Sequence, residues 1–285
     1  MSKLKTLLEM IKFEHTVFAL PFAYCGMVLG SGGLPKARVL FWITLAMVGA
    51  RSFAMALNRL QDAAIDKKNP RTAGRALPAG LVTTPEALLF TAASLAAYFL
   101  AVSQLPGLCQ KLWAVPLVPM AVYGLTKRFT WACHFILGLC LGLAPMGAWV
   151  AAADSLPPAG IWMLGIGVML WTAGFDILYS CQDYEFDRRE GLHSVPARFG
   201  IPAALRITKA LHGLAVLFLA AAGFWFALGP LYFAGLALIA CFLWYENSIV
   251  RPGDLSRMNA AFFTANGCVS IAAFGAVLIS LIWGP

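Results

Sequence analysis

The chain has 285 residues, of which 60% are hydrophobic and 12% are charged, and its formal net charge is +8. A soluble globular domain carries roughly 25% charged residues, and a water-soluble protein of this length has no core large enough for so much apolar surface. The composition therefore excludes an ordinary soluble domain and indicates that a lipid bilayer is the solvent for most of the chain.

The apolar residues form long runs that do not alternate with period two, which favours transmembrane helices over a β-barrel. A spanning helix needs about 20 mostly apolar residues. Nine segments meet this requirement, and they are residues 14–31, 39–60, 85–104, 111–125, 131–152, 160–180, 204–224, 229–248 and 259–283. Two prolines inside residues 111–125 predict a kink there. We find no cleavage site after the first segment and interpret it as a retained span, not a signal peptide.

These segments predict an all-α integral membrane protein, a nine-helix transmembrane bundle with cytoplasmic cap loops that forms one domain over residues 1–285. Its orientation follows from the lysines and arginines. If the N-terminus is cytoplasmic, only Lys36, Arg38 and Lys111 lie on the opposite side, and Arg51 lies inside the second span. The same scatter of basic residues among loops argues against a nucleic-acid partner. The seven cysteines and four histidines show neither CxxC nor metal-ligand spacing, so we expect no disulfide framework and no zinc site.

Two long loops follow the second and sixth spans, residues 58–84 and 176–200, and both emerge on the cytoplasmic side. Each contains a ladder of oxygen-bearing side chains: Asn58, Asp62 and Asp66 in the first, and Tyr179, Asp183 and Asp187 in the second. On an α-helix, positions i, i+4 and i+8 share one face and lie about 6 Å apart. Facing carboxylates repel each other, and Mg²⁺ prefers carboxylates together with substrate phosphates. The shared spacing and side favour a magnesium site over ordinary interfacial charges.

Basic residues accompany both ladders, and they suit an anion such as diphosphate, which needs cationic donors when it leaves. We select Arg75 and Lys127 as phosphate ligands, while the positive-inside rule accounts for some of the other basic residues. Asp176 lies at least one turn deeper in the sixth span. It is either a functional acid or the structural partner of an arginine or of a tryptophan N–H, and both interpretations stay open.

At these residues the sequence resembles the UbiA superfamily of intramembrane aromatic prenyltransferases. The two ladders match the family's NxxxDxxxD and YxxxDxxxD motifs, and the stretches RALPAG from Arg75 and YGLTKR from Tyr123 are similar to two further family motifs. The resemblance covers nearly the whole chain. KFEHTVFALPFA near the start and GLHSVPARFG after the second ladder resemble a bacterial branch of 4-hydroxybenzoate polyprenyltransferases, which includes relatives that prenylate a carboxylated dihydroxynaphthalene. Lys12 and His15–Thr16 depart from the ubiquinone enzymes, which carry Arg and Lys-Pro there.

The resemblance implies a mechanism in which the ladder residues Asn58, Asp62, Asp66, Asp183 and Asp187 hold two Mg²⁺ ions on a polyprenyl diphosphate. Arg75 and Lys127 contact the phosphates, and the departing diphosphate leaves an allylic cation that an electron-rich ring attacks ortho to a hydroxyl. Tyr179 or an aspartate of the second ladder helps to place the acceptor or accepts its proton. Lys12, His193 and Arg198 are the candidates for binding an acceptor carboxylate.

The predicted partners are therefore a polyprenyl diphosphate, an aromatic acid and the lipid bilayer, and the oligomeric state stays open. 4-Hydroxybenzoate in quinone biosynthesis is the first choice of acceptor, with a carboxylated dihydroxynaphthalene for menaquinone as the alternative. The predicted location is the bacterial inner membrane, with the active site on the cytoplasmic side. A secondary transporter is the rival from another class, but transporters place ionisable groups near the membrane midplane, whereas these acids cluster at one interface.

Overall fold

The computed structural model describes residues 3–13, 16–255, 258 and 265–283, and it contains no β-strand among them. The helices in chain order are α1 (Lys3–Met10), α2 (Thr16–Ser31), α3 (Ala37–Lys68), α4 (Thr84–Ser103), α5 (Gly107–Lys111), α6 (Ala114–Thr126), α7 (Cys133–Ala153), α8 (Ala159–Ser180), α9 (Tyr184–Glu190), α10 (Val195–Phe199), α11 (Ile201–Trp225), α12 (Pro230–Ile249) and α13 (Asn266–Trp283). Within this part of the chain, seven helices are long and apolar enough to span a membrane, namely α3, α4, α7, α8 with its continuation to Glu190, α11, α12 and α13. Two shorter apolar helices, Phe18–Ser31 and Ala114–Thr126, accompany them.

A helix occupies the position of each segment that the hydropathy pattern selected, and most ends agree within a few residues. Residues 14–15 of the first segment and 259–264 of the last lie outside the described residues, and the count of nine spans stays a prediction. The main difference is α3, which continues eight residues beyond the predicted end at residue 60. At 1.5 Å per residue its 32 residues are about 48 Å long, more than the ~30 Å hydrocarbon layer. Its last turns, which carry the first ladder, therefore project toward the interface.

The bundle is organised around α8, the most buried of the spanning helices, which packs between α7 and α11. Trp171 in the middle of α8 is 1% exposed, and its ring lies against Phe22 of α2 and Phe175 of α8 with centroid distances of 5.0 and 4.8 Å. Helix α2 packs closely on α7, α3 pairs with α4 and α6, and α12 pairs with α13. Large apolar side chains such as Leu89, Leu217 and Trp244 are exposed on the outside, as expected where lipid is the solvent.

The second ladder does not lie on one continuous α-helix, so that expectation from the i, i+4, i+8 spacing is wrong. Helix α8 ends at Ser180, a single 3₁₀ turn covers Cys181–Asp183, and α9 starts at Tyr184. A 3₁₀ turn rises faster and rotates further per residue than an α-helix. Asp183 and Asp187 are consequently turned relative to Tyr179, and the three side chains have different hydrogen-bond partners.

Candidate active site

A cavity of about 1030 Å³ lies inside the bundle, between α2, α3, α6, α7 and α8, and the segments after α3 and α9 complete its polar end. Both ladders line it. Its apolar wall includes Met47, Met120 and Leu141. Met47 precedes Asp62 by 15 residues on α3, which corresponds to about 22 Å along the helix axis. The cavity therefore joins a charged end to a long apolar interior, a shape suited to a molecule with an anionic head and a hydrocarbon tail.

The first ladder is buried, and its carboxylates have cationic partners from other elements. Asp62 Oδ2 accepts hydrogen bonds from Lys127 Nζ at 2.6 Å and from Asn58 Nδ2 at 3.1 Å. Both carboxylate oxygens of Asp66 lie 2.7 Å from Nη1 of Arg75. Helix α6 approaches α3 closely here because Gly124 has no side chain, and a Cβ at that position would lie 2.6 Å from Asn58 Nδ2.

The second ladder is tied to the segment that follows α3. Asp183 Oδ1 accepts hydrogen bonds from Asn69 Nδ2 at 2.9 Å and from Arg71 Nε at 2.8 Å, and Arg71 Nη2 pairs with Oδ2. Arg71 Nη1 donates to the Tyr179 hydroxyl at 3.3 Å, and its guanidinium lies over that ring. Partial burial lowers the pKa of Arg71, but the hydrogen bond and charge of Asp183 outweigh this and raise the pKa above its ordinary value. Arg71 therefore stays cationic.

Asp187 differs from the other three ladder acids because its hydrogen-bond partner is a hydroxyl. Its Oδ2 accepts a hydrogen bond of 2.8 Å from Ser194 Oγ, and the Ser194 hydroxyl also caps the N-terminus of α10. Ser194, Asn69 and Arg71 are not among the site residues that the sequence predicts. Arg71 is one of several basic residues after the first ladder. Its residue type could have distinguished it from the lysines, because only arginine binds a carboxylate or phosphate through two parallel N–H groups.

The donor set suits magnesium, although no three His, Cys, Asp or Glu side chains of the described ranges are already arranged as a metal site. Oδ1 of Asp62 is buried and has no hydrogen-bond partner among the described residues, and Nη2 of Arg128 lies 4.0 Å from it. Burying a carboxylate oxygen without a partner costs free energy, and a bound cation would remove this cost. Carboxylate and amide oxygens are also the hard donors that Mg²⁺ prefers beside substrate phosphates.

The three candidates for an acceptor carboxylate lie in different surroundings. Lys12 lines the cavity, in the short segment between α1 and α2, where its φ of 51° is left-handed. Arg51, another lining residue, donates to the carbonyl oxygens of Ile11 and Lys12 at 3.4 and 3.1 Å. His193 and Arg198 are exposed and do not line the cavity. Their roles remain predictions, and the geometry favours Lys12.

In the described part of the chain, Asp176 is hydrogen-bonded to a histidine, and not to the arginine or tryptophan N–H that the structural interpretation named. Its Oδ2 lies 2.7 Å from Nδ1 of His134 on α7. Both residues line the cavity. Nothing in the sequence selects His134, because it meets Asp176 only through the packing of α7 on α8, across 42 residues.

Fold and site together define an integral membrane protein whose helical bundle encloses a cavity with a charged end and an apolar interior. The sequence profile of the UbiA prenyltransferase family matches residues 19–267, and the chain belongs to this family. The 4-hydroxybenzoate octaprenyltransferase of Vibrio cholerae serotype O1 is 32% identical over 261 residues, covering 90% of this chain and 89% of that protein.

Solved structures agree with this assignment. A UbiA homologue from Aeropyrum pernix K1 superposes with a TM-score of 0.84 at 34% identity, covering 93% of this chain and 97% of that one. A UbiA homologue from Archaeoglobus fulgidus, solved bound to GPP and Mg²⁺, gives a TM-score of 0.71 and covers 96% of this chain and 99% of that one. Because its identity is 19%, the second comparison supports the fold alone.

Proposed function

We propose that this prenyltransferase moves a polyprenyl group from polyprenyl diphosphate to an aromatic acid, with 4-hydroxybenzoate as the acceptor, in quinone biosynthesis. The observation that carries the proposal is the cluster of carboxylates and cationic side chains at the polar end of the cavity. Three ladder carboxylates, Asp62, Asp66 and Asp183, each form an ion pair with a lysine or arginine from outside the ladders. Such a cluster has the charges needed to hold both a diphosphate and its counter-ions.

In this proposal the basic side chains Arg71, Arg75 and Lys127 hold the phosphate oxygens through charge-assisted hydrogen bonds. The five ladder residues that would hold magnesium are Asn58, Asp62, Asp66, Asp183 and Asp187. When bound, Mg²⁺ supplies Lewis-acid stabilisation of the charge that develops on the departing diphosphate. The prenyl tail extends along the apolar wall past Met120 and Met47, and these walls exclude water that would otherwise trap an allylic cation.

The acceptor ring lies beneath the diphosphate, toward the interior of the bundle. Its carboxylate faces the basic residues at the α1–α2 segment, with Lys12 as the first candidate. Tyr179 has its hydroxyl in the cavity wall, where Arg71 orients it, and it helps to place the ring. The proposal also includes nine spans in one membrane domain, a cytoplasmic N-terminus and residence in the bacterial inner membrane.

Purified protein in liposomes tests the function directly. The assay supplies MgCl₂, farnesyl diphosphate or a longer polyprenyl diphosphate, and one of three acceptors: 4-hydroxybenzoate, a carboxylated dihydroxynaphthalene or 4-methoxybenzoate. Mass spectrometry should detect prenylated 4-hydroxybenzoate, and the methoxy compound should give no product because its ring lacks the hydroxyl group. Product from the naphthalene alone would change the acceptor, and no product from any acceptor would contradict the proposed function.

A further inference from the structure

His134 and Asp176 form a hydrogen-bonded pair on the cavity wall, outside both ladders. Asp176 Oδ2 lies 2.7 Å from His134 Nδ1, and His134 Nε2 lies 3.2 Å from the backbone nitrogen of Val195. The backbone N–H can only donate, so Nε2 accepts it and carries no proton. Nδ1 therefore carries the ring proton and donates it to the carboxylate. The histidine is a neutral donor with both nitrogens satisfied, and its side chain is 3% exposed.

Asp176 is consequently unlike the ladder acids. Asp62, Asp66 and Asp183 hydrogen-bond to cationic side chains, whereas Asp176, within the described ranges, hydrogen-bonds only to neutral His134. Its side chain is 29% exposed and lines the cavity, so part of the carboxylate faces the space that the acceptor would occupy. The exposed part of the carboxylate can therefore accept a proton from a bound ring, while a fixed neutral donor sets its orientation.

The depth of Asp176 also fits a role in the chemistry. It precedes Asp183 by seven residues, about 10 Å along a helix axis, which is below the level proposed for the diphosphate. One turn further into the bundle, the Thr172 hydroxyl lines the cavity, is buried and has no hydrogen-bond partner in the part of the chain that the structure describes. A carboxylate and an unsatisfied hydroxyl on one face of α8 match an aromatic ring that carries a hydroxyl group and must lose a proton.

We propose that Asp176 is the general base of the transfer and that His134 is its positioning residue, an inference that rests on the proposed function. The C–O bond between the prenyl group and diphosphate breaks, and diphosphate leaves with the electron pair. A bond forms between the prenyl carbon and the ring carbon ortho to the hydroxyl. The hydrogen on that ring carbon leaves as a proton to the Asp176 carboxylate, which restores the aromatic ring, and the resulting acid later releases the proton to water at the polar end.

The competing interpretation is structural, because His134 joins α7, α8 and the start of α10 whatever the chemistry. The variants Asp176→Asn, His134→Phe and His134→Asn separate the two roles. Asparagine at 176 keeps the shape and removes the basic oxygen, phenylalanine at 134 removes the donor, and asparagine at 134 restores an N–H near the Nδ1 position. Each variant is assayed in liposomes with an acceptor deuterated at the ring positions ortho to the hydroxyl. Protection of the protein from thermal unfolding by farnesyl diphosphate with MgCl₂ is measured in parallel.

We expect Asp176→Asn to lower kcat by about 10²–10⁴-fold, with the KM of the prenyl diphosphate and its thermal protection nearly unchanged. Deprotonation should then limit turnover, so a deuterium isotope effect larger than the parent's should appear. His134→Phe should show a smaller loss of the same kind, and His134→Asn should recover part of it.

Several outcomes would overturn the base assignment while the parent still prenylates the acceptor. One such outcome is a kcat of Asp176→Asn within threefold of the parent's. Another is that the prenyl diphosphate no longer protects this variant from thermal unfolding, and a third is that its isotope effect is no larger than the parent's. A parent that prenylates no aromatic acid would instead overturn the proposed function and this inference with it.

Discussion

Lys127 Nζ donates a hydrogen bond of 2.6 Å to Oδ2 of Asp62, although 65 residues separate the two in the chain. The first residue was predicted to bind phosphate and the second to bind metal, and the structure makes them direct partners. Arg75 with Asp66 and Arg71 with Asp183 repeat this arrangement. The same side chains can thus neutralise one another or divide between a magnesium ion and a phosphate, which offsets part of the desolvation cost of three carboxylates in a partly buried site.

The ladder acids should be indispensable for turnover. Replacing Asp62 or Asp183 with alanine removes an oxygen donor for the metal, whose stabilisation of the departing diphosphate amounts to several kcal/mol. We expect turnover to fall by about 100-fold or more, and EDTA should abolish activity of the parent. Asp154→Asn is the matched control, because Asp154 ends α7 at the opposite end of that helix from the cavity mouth. Full activity in EDTA would contradict the metal role.

Arg71 should contribute to diphosphate binding through its two-pronged geometry. Lysine keeps the charge but has no planar fork, so Arg71→Lys should raise the KM of the prenyl diphosphate by about tenfold, the cost of one charge-assisted hydrogen bond. Steady-state kinetics with varied prenyl diphosphate measures this. Arg188→Ala provides the control, since Arg188 is exposed and donates to the Tyr184 hydroxyl. Equal KM values for Arg71→Lys and Arg188→Ala would argue against phosphate contact by Arg71.

The helices were predictable because their signal is local. Continuous apolar runs predict the positions of α3, α4, α7 and the later spans. The ladder spacing selects Asp62, Asp66, Asp183 and Asp187 as metal ligands, and all four line the cavity. The pairings were not predictable, because Arg71 meets Asp183 across 112 residues and His134 meets Asp176 across 42. Such contacts depend on the relative rotation of packed helices. The interruption of the α-helix at Cys181–Asp183 was not predictable either, because a single 3₁₀ turn does not change the pattern of apolar residues.

Packing of α2 on α7 should depend on Gly26. A Cβ at this position would lie 2.0 Å from the backbone oxygen of Pro145 and 2.8 Å from its Cα, so the two helices would have to separate. We expect Gly26→Ala to destabilise the protein by about 1–3 kcal/mol, the usual cost of overpacking, and to lower Tm in detergent. Gly147→Ala on α7 is the control, because a Cβ there meets nothing within 4 Å. Equal Tm values for the two variants would contradict the close contact.

The orientation in the membrane should follow the lysine and arginine distribution. Arg189 is 67% exposed beside the second ladder, and Leu156 is 69% exposed between α7 and α8. In a variant without its natural cysteines, a cysteine replacing Arg189 should react with an impermeant thiol reagent from the cytoplasmic side of oriented vesicles. A cysteine replacing Leu156 should react from the other side. Reaction of both from one side, or in the reverse pattern, would contradict the proposed topology.

The acceptor carboxylate should be bound by Lys12. Two negative charges about 6 Å apart repel each other by about 3 kcal/mol at an effective dielectric constant near 20, so a carboxylate beside diphosphate needs a cation of its own. Lys12 lines the cavity, whereas His193 and Arg198 are exposed outside it. Lys12→Gln should therefore raise the KM of the acceptor and leave the KM of the prenyl diphosphate nearly unchanged, the pattern of lost ground-state binding.

The methyl ester of the acceptor provides the decisive comparison, because it keeps the ring and hydroxyl and removes the charge. Its turnover should fall less than that of the acid when Lys12 is replaced with glutamine, since the ester never used the cation. His193→Gln and Arg198→Gln serve as controls and should leave both acceptors close to the parent. If the parent already uses the ester as readily as the acid, the carboxylate is not recognised. An uncharged ring would then be the better acceptor, because nothing in the site would offset the repulsion between an acid and the neighbouring diphosphate.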